Sequence, residues 1–143
     1  LHALRRSDRF ADLARKVGGP HRLFRRIGAP GVAHVPGFSS VEPMHSGPFQ
    51  WTTDRLIAWQ VEAVTADVLH LAIPFAHQFR PNYAAQCTVQ VDGRNARVTV
   101  RENMIMAEAD GPFADATVSV ALMTPPLKAS AGGRTIGIAL RVV

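Results

Sequence analysis

The sequence predicts a mostly β protein: an antiparallel β-sandwich of jelly-roll type, preceded by a short basic helical segment. Three observations carry this. After Gly28, seven stretches alternate apolar and polar residues with period two. Asp92-Gly93 stands between two alternating runs, a strong hairpin signal. No helical periodicity is interleaved with the strands, which argues against a parallel sheet with crossover helices.

The front of the chain reads differently. Ser7 caps a helix predicted over 8–17, where Phe10, Leu13, Ala14 and Val17 recur at three- and four-residue spacing. Gly18-Gly19 stops it. Pro20 then suits the first turn of a second short helix through Leu23, Phe24 and Ile27, ended by Gly28. Residues 1–28 hold eight Arg or Lys against Asp8 and Asp12, a balance of +6. Residues 29–143 hold eight basic and nine acidic groups, a balance of −1. The total of +5 therefore belongs to the front segment. Its arginine face is expected to be solvated, with weak, salt-sensitive attraction to polyanions or an anionic membrane and no sequence-specific nucleic-acid binding. The division expected is 1–28 as a linker or docking segment and 29–143 as a sandwich domain that folds without it.

The strands follow in order: LIAWQV (56–61), DVLHLAIPF (67–75), CTVQV (87–91), ARVTV (96–100), MIMAEA (104–109), TVSVALM (117–123) and TIGIALRVV (135–143). Pro74, Pro81, Pro112, Pro125 and Pro126 are expected at ends or in loops, where a missing N–H does little harm. Trp59 alternates in phase with Ile57 and Val61 and is read as core. Cys87, the single cysteine, precludes an internal disulfide and is expected to be a small buried hydrophobe. No apolar run reaches the length of a transmembrane segment, and no signal-peptide pattern opens the chain. Opening on Leu, the chain reads as part of a longer one.

Chemistry is sparse. His34 and His45 flank Glu42, and His70 and His77 lie seven apart, but neither pair has a compact metal-ligand spacing. Ser46, His45 and Asp54 lack the strand–turn–helix setting of a nucleophile. Gly132-Gly133-Arg134 enters a strand without the lysine or helix of a phosphate loop. Neither an enzyme, a metal nor a cofactor is expected. Two irregular stretches gather recognition chemistry instead. Residues 37–52 carry Glu42, His45, Gln50 and Trp51; residues 77–86 carry His77, Arg80, Asn82 and Tyr83. Pyranose C–H faces stack on aromatic rings, while carboxylates and amides bind the hydroxyls. Trp51 admits two readings. One is a stacking platform. The other, preferred here, is a clasp in which Trp51 or Phe49 fills a core slot, with Glu42 and Arg134 pairing to tie the loop to the last strand and any ligand held by the neighbouring polar residues. The 77–86 loop is equally a recognition loop or an exposed connection.

Gly37-Phe38, Glu42, Phe49-Gln50-Trp51-Thr52, the VQVDG hairpin and the closing 134–140 segment together resemble an accessory β-sandwich domain found at the C-terminus of bacterial glycosyltransferases and other surface-polysaccharide proteins. That family shows a Gly-aromatic pair, a Glu, an aromatic-Arg-Trp-Thr block, a V-x-V-N-G-like hairpin and an Asp-x-Arg-x-Leu-Gly-hydrophobic strand. Gln50 stands where the family has Arg, and Gly132 where it often has Asp. The resemblance spans residues 37–143. It implies a non-catalytic, carbohydrate-binding-module-like domain with a glycan or polysaccharide as partner and a parent domain N-terminal to Leu1. The location, cytoplasmic or cell-surface associated, would follow that parent. The alternative is a structural or adhesion domain of a surface or particle-borne spike.

Overall fold

The computed structural model describes residues 24–32, 35–45, 47–62, 66–130 and 132–143. The helix expected over 8–17, the start of the second helix, His34 and Ser46 lie outside these residues. The described chain is mostly β, with antiparallel sheets.

Twelve strands are present among the described residues: β1 (Arg25–Arg26), β2 (Phe49–Trp51), β3 (Leu56–Glu62), β4 (Ala66–Gln78), β5 (Thr88–Val91), β6 (Arg94–Asn95), β7 (Arg97–Arg101), β8 (Met104–Phe113), β9 (Thr117–Met123), β10 (Lys128–Ala129), β11 (Thr135–Ile136) and β12 (Ile138–Arg141). A six-stranded sheet runs β2-β12-β4-β8-β7, with β1 added on β4. A four-stranded sheet runs β3-β9-β5-β6, and β10 and β11 form a separate hairpin. Among the named strands all pairings are antiparallel except β1 on β4. The chain changes sheet at seven of the eleven connections between these strands.

Period-two alternation explains the core. Leu69, Leu71, Ile73 and Phe75 of β4 and Ile105, Ala107 and Ala109 of β8 point one way from the larger sheet. Ile57, Val89, Val91, Val118, Val120 and Leu122 point inward from the smaller one, and all these residues join a single buried cluster. Each such aliphatic side chain, fully buried, contributes about 1.5–3 kcal/mol. Cys87 is buried among them as expected. Trp59 is only half-buried at the rim, edge-on to Phe38 at 5.7 Å.

Three expectations are corrected. Phe24–Ile27 is not helical: Arg25 and Arg26 pair in parallel with Leu71 and Ala72, and the Ile27 N–H donates to the Ala72 carbonyl at 2.9 Å. Ile27 is buried, so the residues just before the expected boundary at 28 belong to the sheet. Second, Pro74 sits inside β4, opposite Met104. The Phe75 N–H faces β8, donating to the Asn103 carbonyl. Position 74 therefore turns its missing donor to the other edge, where β1 ends and β12 begins, and the ladder loses nothing there. Third, the Asp92-Gly93 turn forms, both residues at positive φ (49° and 79°), but its second arm is short. After Arg94 and Asn95 pair with β5, the chain crosses at Ala96 and β7 joins β8 in the other sheet.

The predicted last strand is broken at Gly137. A Cβ there would lie 2.5 Å from the Thr52 hydroxyl and 3.1 Å from the Tyr83 hydroxyl, so only glycine lets β12 swing away from β11 toward β2. The Gly137 N–H donates to the Thr52 carbonyl, and the Ile138 N–H to the Thr52 hydroxyl, both at 2.9 Å.

Candidate functional site

The stretch 37–52 is a hairpin laid along the edge of the larger sheet. Glu42 and Phe49 exchange backbone hydrogen bonds at 2.8 and 3.0 Å, and the Ser39 N–H donates to the Trp51 carbonyl at 2.8 Å. The Trp51 N–H donates to the Ser39 hydroxyl. Gly47, at φ 118°, closes the tip by donating to the Met44 carbonyl, and His45 is exposed there. Pro43 and Pro48 flank the tip.

Gln50 is a clasp of this hairpin, the role expected of Trp51 or Phe49, and Phe49 is itself buried at 8% exposure. The Gln50 side chain is 0% exposed, and its amide NH2 donates to the carbonyls of Val32 (3.0 Å) and Ser39 (2.7 Å). Its carbonyl accepts from the Gly31 N–H at 2.8 Å. One buried amide thus ties 31–39 to β2. Gln50 is removed from any ligand, because every hydrogen bond it makes is to backbone and none of its surface is open.

Trp51 lies half-buried on the opposite, outer face. The register explains its neighbours: Ala139 of β12 stands between Trp51 of β2 and His77 of β4. The small Ala139 side chain lets the two rings lean over it. The indole and the imidazole stack at 6.1 Å with planes 19° apart. Phe49 stands edge-on to both, 6.1 Å from Trp51 and 5.4 Å from His77. These are the separations at which aromatic pairs attract. Two sequence stretches treated separately therefore meet in one aromatic patch.

Glu42 borders it through Phe49. One carboxylate oxygen pairs with the Arg134 guanidinium at 3.5 Å, as the sequence predicts, tying the hairpin to the residue that leads into β11. The other, Oε2, is buried without a hydrogen-bond partner among the described residues. A buried acceptor left unpaired costs free energy until a donor reaches it.

The remaining candidates go elsewhere. Tyr83 is 0% exposed; its hydroxyl donates to the Pro125 carbonyl at 2.9 Å, and its ring packs on Phe79 at 4.5 Å. Burial pushes its ionisation upward. It is a core residue and not a ligand contact. The Arg80 guanidinium lies 5.2 Å over the Tyr83 ring and donates to Gln86 at 2.7 Å, which fixes the loop. Asn82 is exposed at φ 66°, the left-handed region that Asn tolerates. Phe49, expected only as an alternative anchor of the loop, and Ala139 are not among the ligand-binding candidates of the sequence. Phe49 had a signal, since it shares a face with Trp51 two residues on; Ala139 had none, because only strand order brings it beneath the rings.

His70 faces Glu108 at 3.5 Å with Phe24 edge-on at 5.0 Å. Among the described residues no three His, Cys, Asp or Glu side chains are grouped to hold a metal ion, and no helix is long and apolar enough to cross a membrane. Compared with known proteins, the chain matches no family model, no curated protein and no solved structure.

Proposed function

We propose that this chain is a non-catalytic carbohydrate-binding or accessory module of a larger glycan-synthesising or glycan-handling protein, its two sheets forming the layers of a jelly-roll-like sandwich. The observation that carries the reading is the patch of Trp51, His77 and Phe49 over Ala139 on the outer face of the larger sheet. The half-buried indole offers a rigid apolar surface for a sugar C–H face. The Glu42 carboxylate, whose side chain is 33% exposed at the border of the patch, offers an acceptor to a hydroxyl.

Affinity electrophoresis through a panel of polysaccharides, with tryptophan fluorescence as a second readout, tests it. A retarding glycan should be found, and Trp51→Ala should lose the retardation. The stability cost should be about 1–2 kcal/mol, as for a partly exposed side chain. His77→Ala should weaken binding with stability within about 0.5 kcal/mol of the parent. Retardation that survives both substitutions would rule out the patch; a panel that never retards the parent chain would remove the glycan reading itself.

A further inference from the structure

We infer that β3 is a self-association edge, pairing antiparallel with β3 of a second copy of this chain. The proposal stands apart from the glycan reading, which concerns the other sheet.

A sheet edge exposes unpaired N–H and C=O groups, and proteins commonly protect it with charge, short strands, proline, bulges or a covering segment. The other edges here are protected. The open half of β4 is covered by β1, and β2 by the 38–42 arm. β6 has only two residues. β7 carries exposed Arg97 and Arg101. β3 has only one of these devices, a charge at its end: Glu62, which pairs with Arg25 at 3.6 Å. It runs seven residues without proline or lysine, its register with β9 is unbroken, and among the described residues it pairs only with β9.

The hydrogen-bond phase shows which groups are free. The Thr124 N–H donates to the Arg55 carbonyl, so positions 55, 57, 59 and 61 turn their backbone to β9. Leu56, Ala58, Gln60 and Glu62 turn theirs outward. Their side chains lie on the exposed face, where Leu56 is 59% and the adjacent Met123 46% exposed. In β3 and β9 together Glu62 is the sole charged residue.

A second copy fits this edge for two reasons. A two-fold axis at Trp59 sets Ala58 opposite Gln60 of the second copy and Leu56 opposite Glu62 of the second copy. Every outward group then meets an outward group. The same pairing keeps the two Glu62 carboxylates at opposite ends of the new ladder, each beside Arg25 of its own copy at 3.6 Å. Parallel pairing would set Glu62 beside Glu62. The interface is isologous and closes, leaving neither copy with this edge free.

Sedimentation velocity on the whole chain should show a concentration-dependent dimer. Residue-resolved hydrogen exchange should show the amides of Leu56, Ala58, Gln60 and Glu62 slowing as concentration rises, with those of Ile57, Trp59 and Val61 unchanged. The double variant Ala58→Lys with Gln60→Lys places lysine against lysine at both central pairs. It should weaken the dimer at least about tenfold, since like charges directly opposite destabilise a pair. Should that variant misfold, the exchange pattern of the parent chain still decides. A chain that stays monomeric up to about 1 mM overturns the proposal. So does a dimer in which the outward amides of β3 exchange as fast as in the monomer.

Discussion

Replacing Gln50 by leucine keeps a similar volume and removes three hydrogen bonds. The Gly31 N–H and the Val32 and Ser39 carbonyls then lose a partner in a place where water replaces it poorly. A loss of about 3 kcal/mol or more follows, since each of the three orphaned groups costs about 1–3 kcal/mol; a urea midpoint measures it. A change within 0.5 kcal/mol of zero (roughly the scatter for surface positions) would mean that the hairpin is held by its backbone alone. Sequence could not assign this role, because the amide's partners are backbone groups 11 to 19 residues away. Cys87 was legible, since alternation alone puts it inside. Burial pushes its thiol up to about 12 from an ordinary 9.0. The folded state thus favours the protonated thiol, and that preference is intact below pH 9. It is lost progressively as pH rises toward 12, because the unfolded chain ionises first. Tyr83, raised from 10.0, acts with the same sign. The melting temperature should fall above pH 9, less steeply in Cys87→Ala, and Cys87 should resist thiol reagents until the chain unfolds.

At the scale of elements, the strands legible in the sequence were those whose alternation ran for five residues or more. Short pieces were not. Phe24 and Ile27 are three apart, a helical spacing, yet Arg25 to Ile27 is extended. So few residues fit either period, and the open half of β4 decides the matter by offering the Ala72 carbonyl. Likewise the alternation of ARVTV marks a strand, but the sequence around Ala96 does not disclose that the strand belongs to the other sheet. A local hairpin signal reports the turn and not where the second arm ends. These facts fix where the chain can be shortened. Truncation to begin at Phe24 should retain a cooperative melt. Truncation to begin at Ala29 removes Ile27, 4% exposed, and should cost at least about 2–5 kcal/mol, the range for emptying a buried aliphatic site. Equal melting temperatures for the two would show that β1 is ornamental to the sheet.

For the molecule as a whole, composition and periodicity carried the coarse class, a mostly β chain with antiparallel sheets. Strand order was not legible, since alternation tells each strand which face to bury and nothing about its neighbour. The candidate site depended on that order. Trp51 and His77 are 26 positions apart and meet only because Ala139, much later in the chain, is inserted between their strands. That insertion has a consequence for synthesis. During translation β2 and β4 leave the ribosome early, with no partner for the edges that β12 will join. Pairings of such long sequence separation are slow to close. The larger sheet therefore cannot be completed until residue 141 has been made, and the stacked rings are assembled at that same moment. A nascent chain halted before Ile138 would hold both aromatic residues and no patch, so the appearance of a ligand-competent surface would time the end of folding.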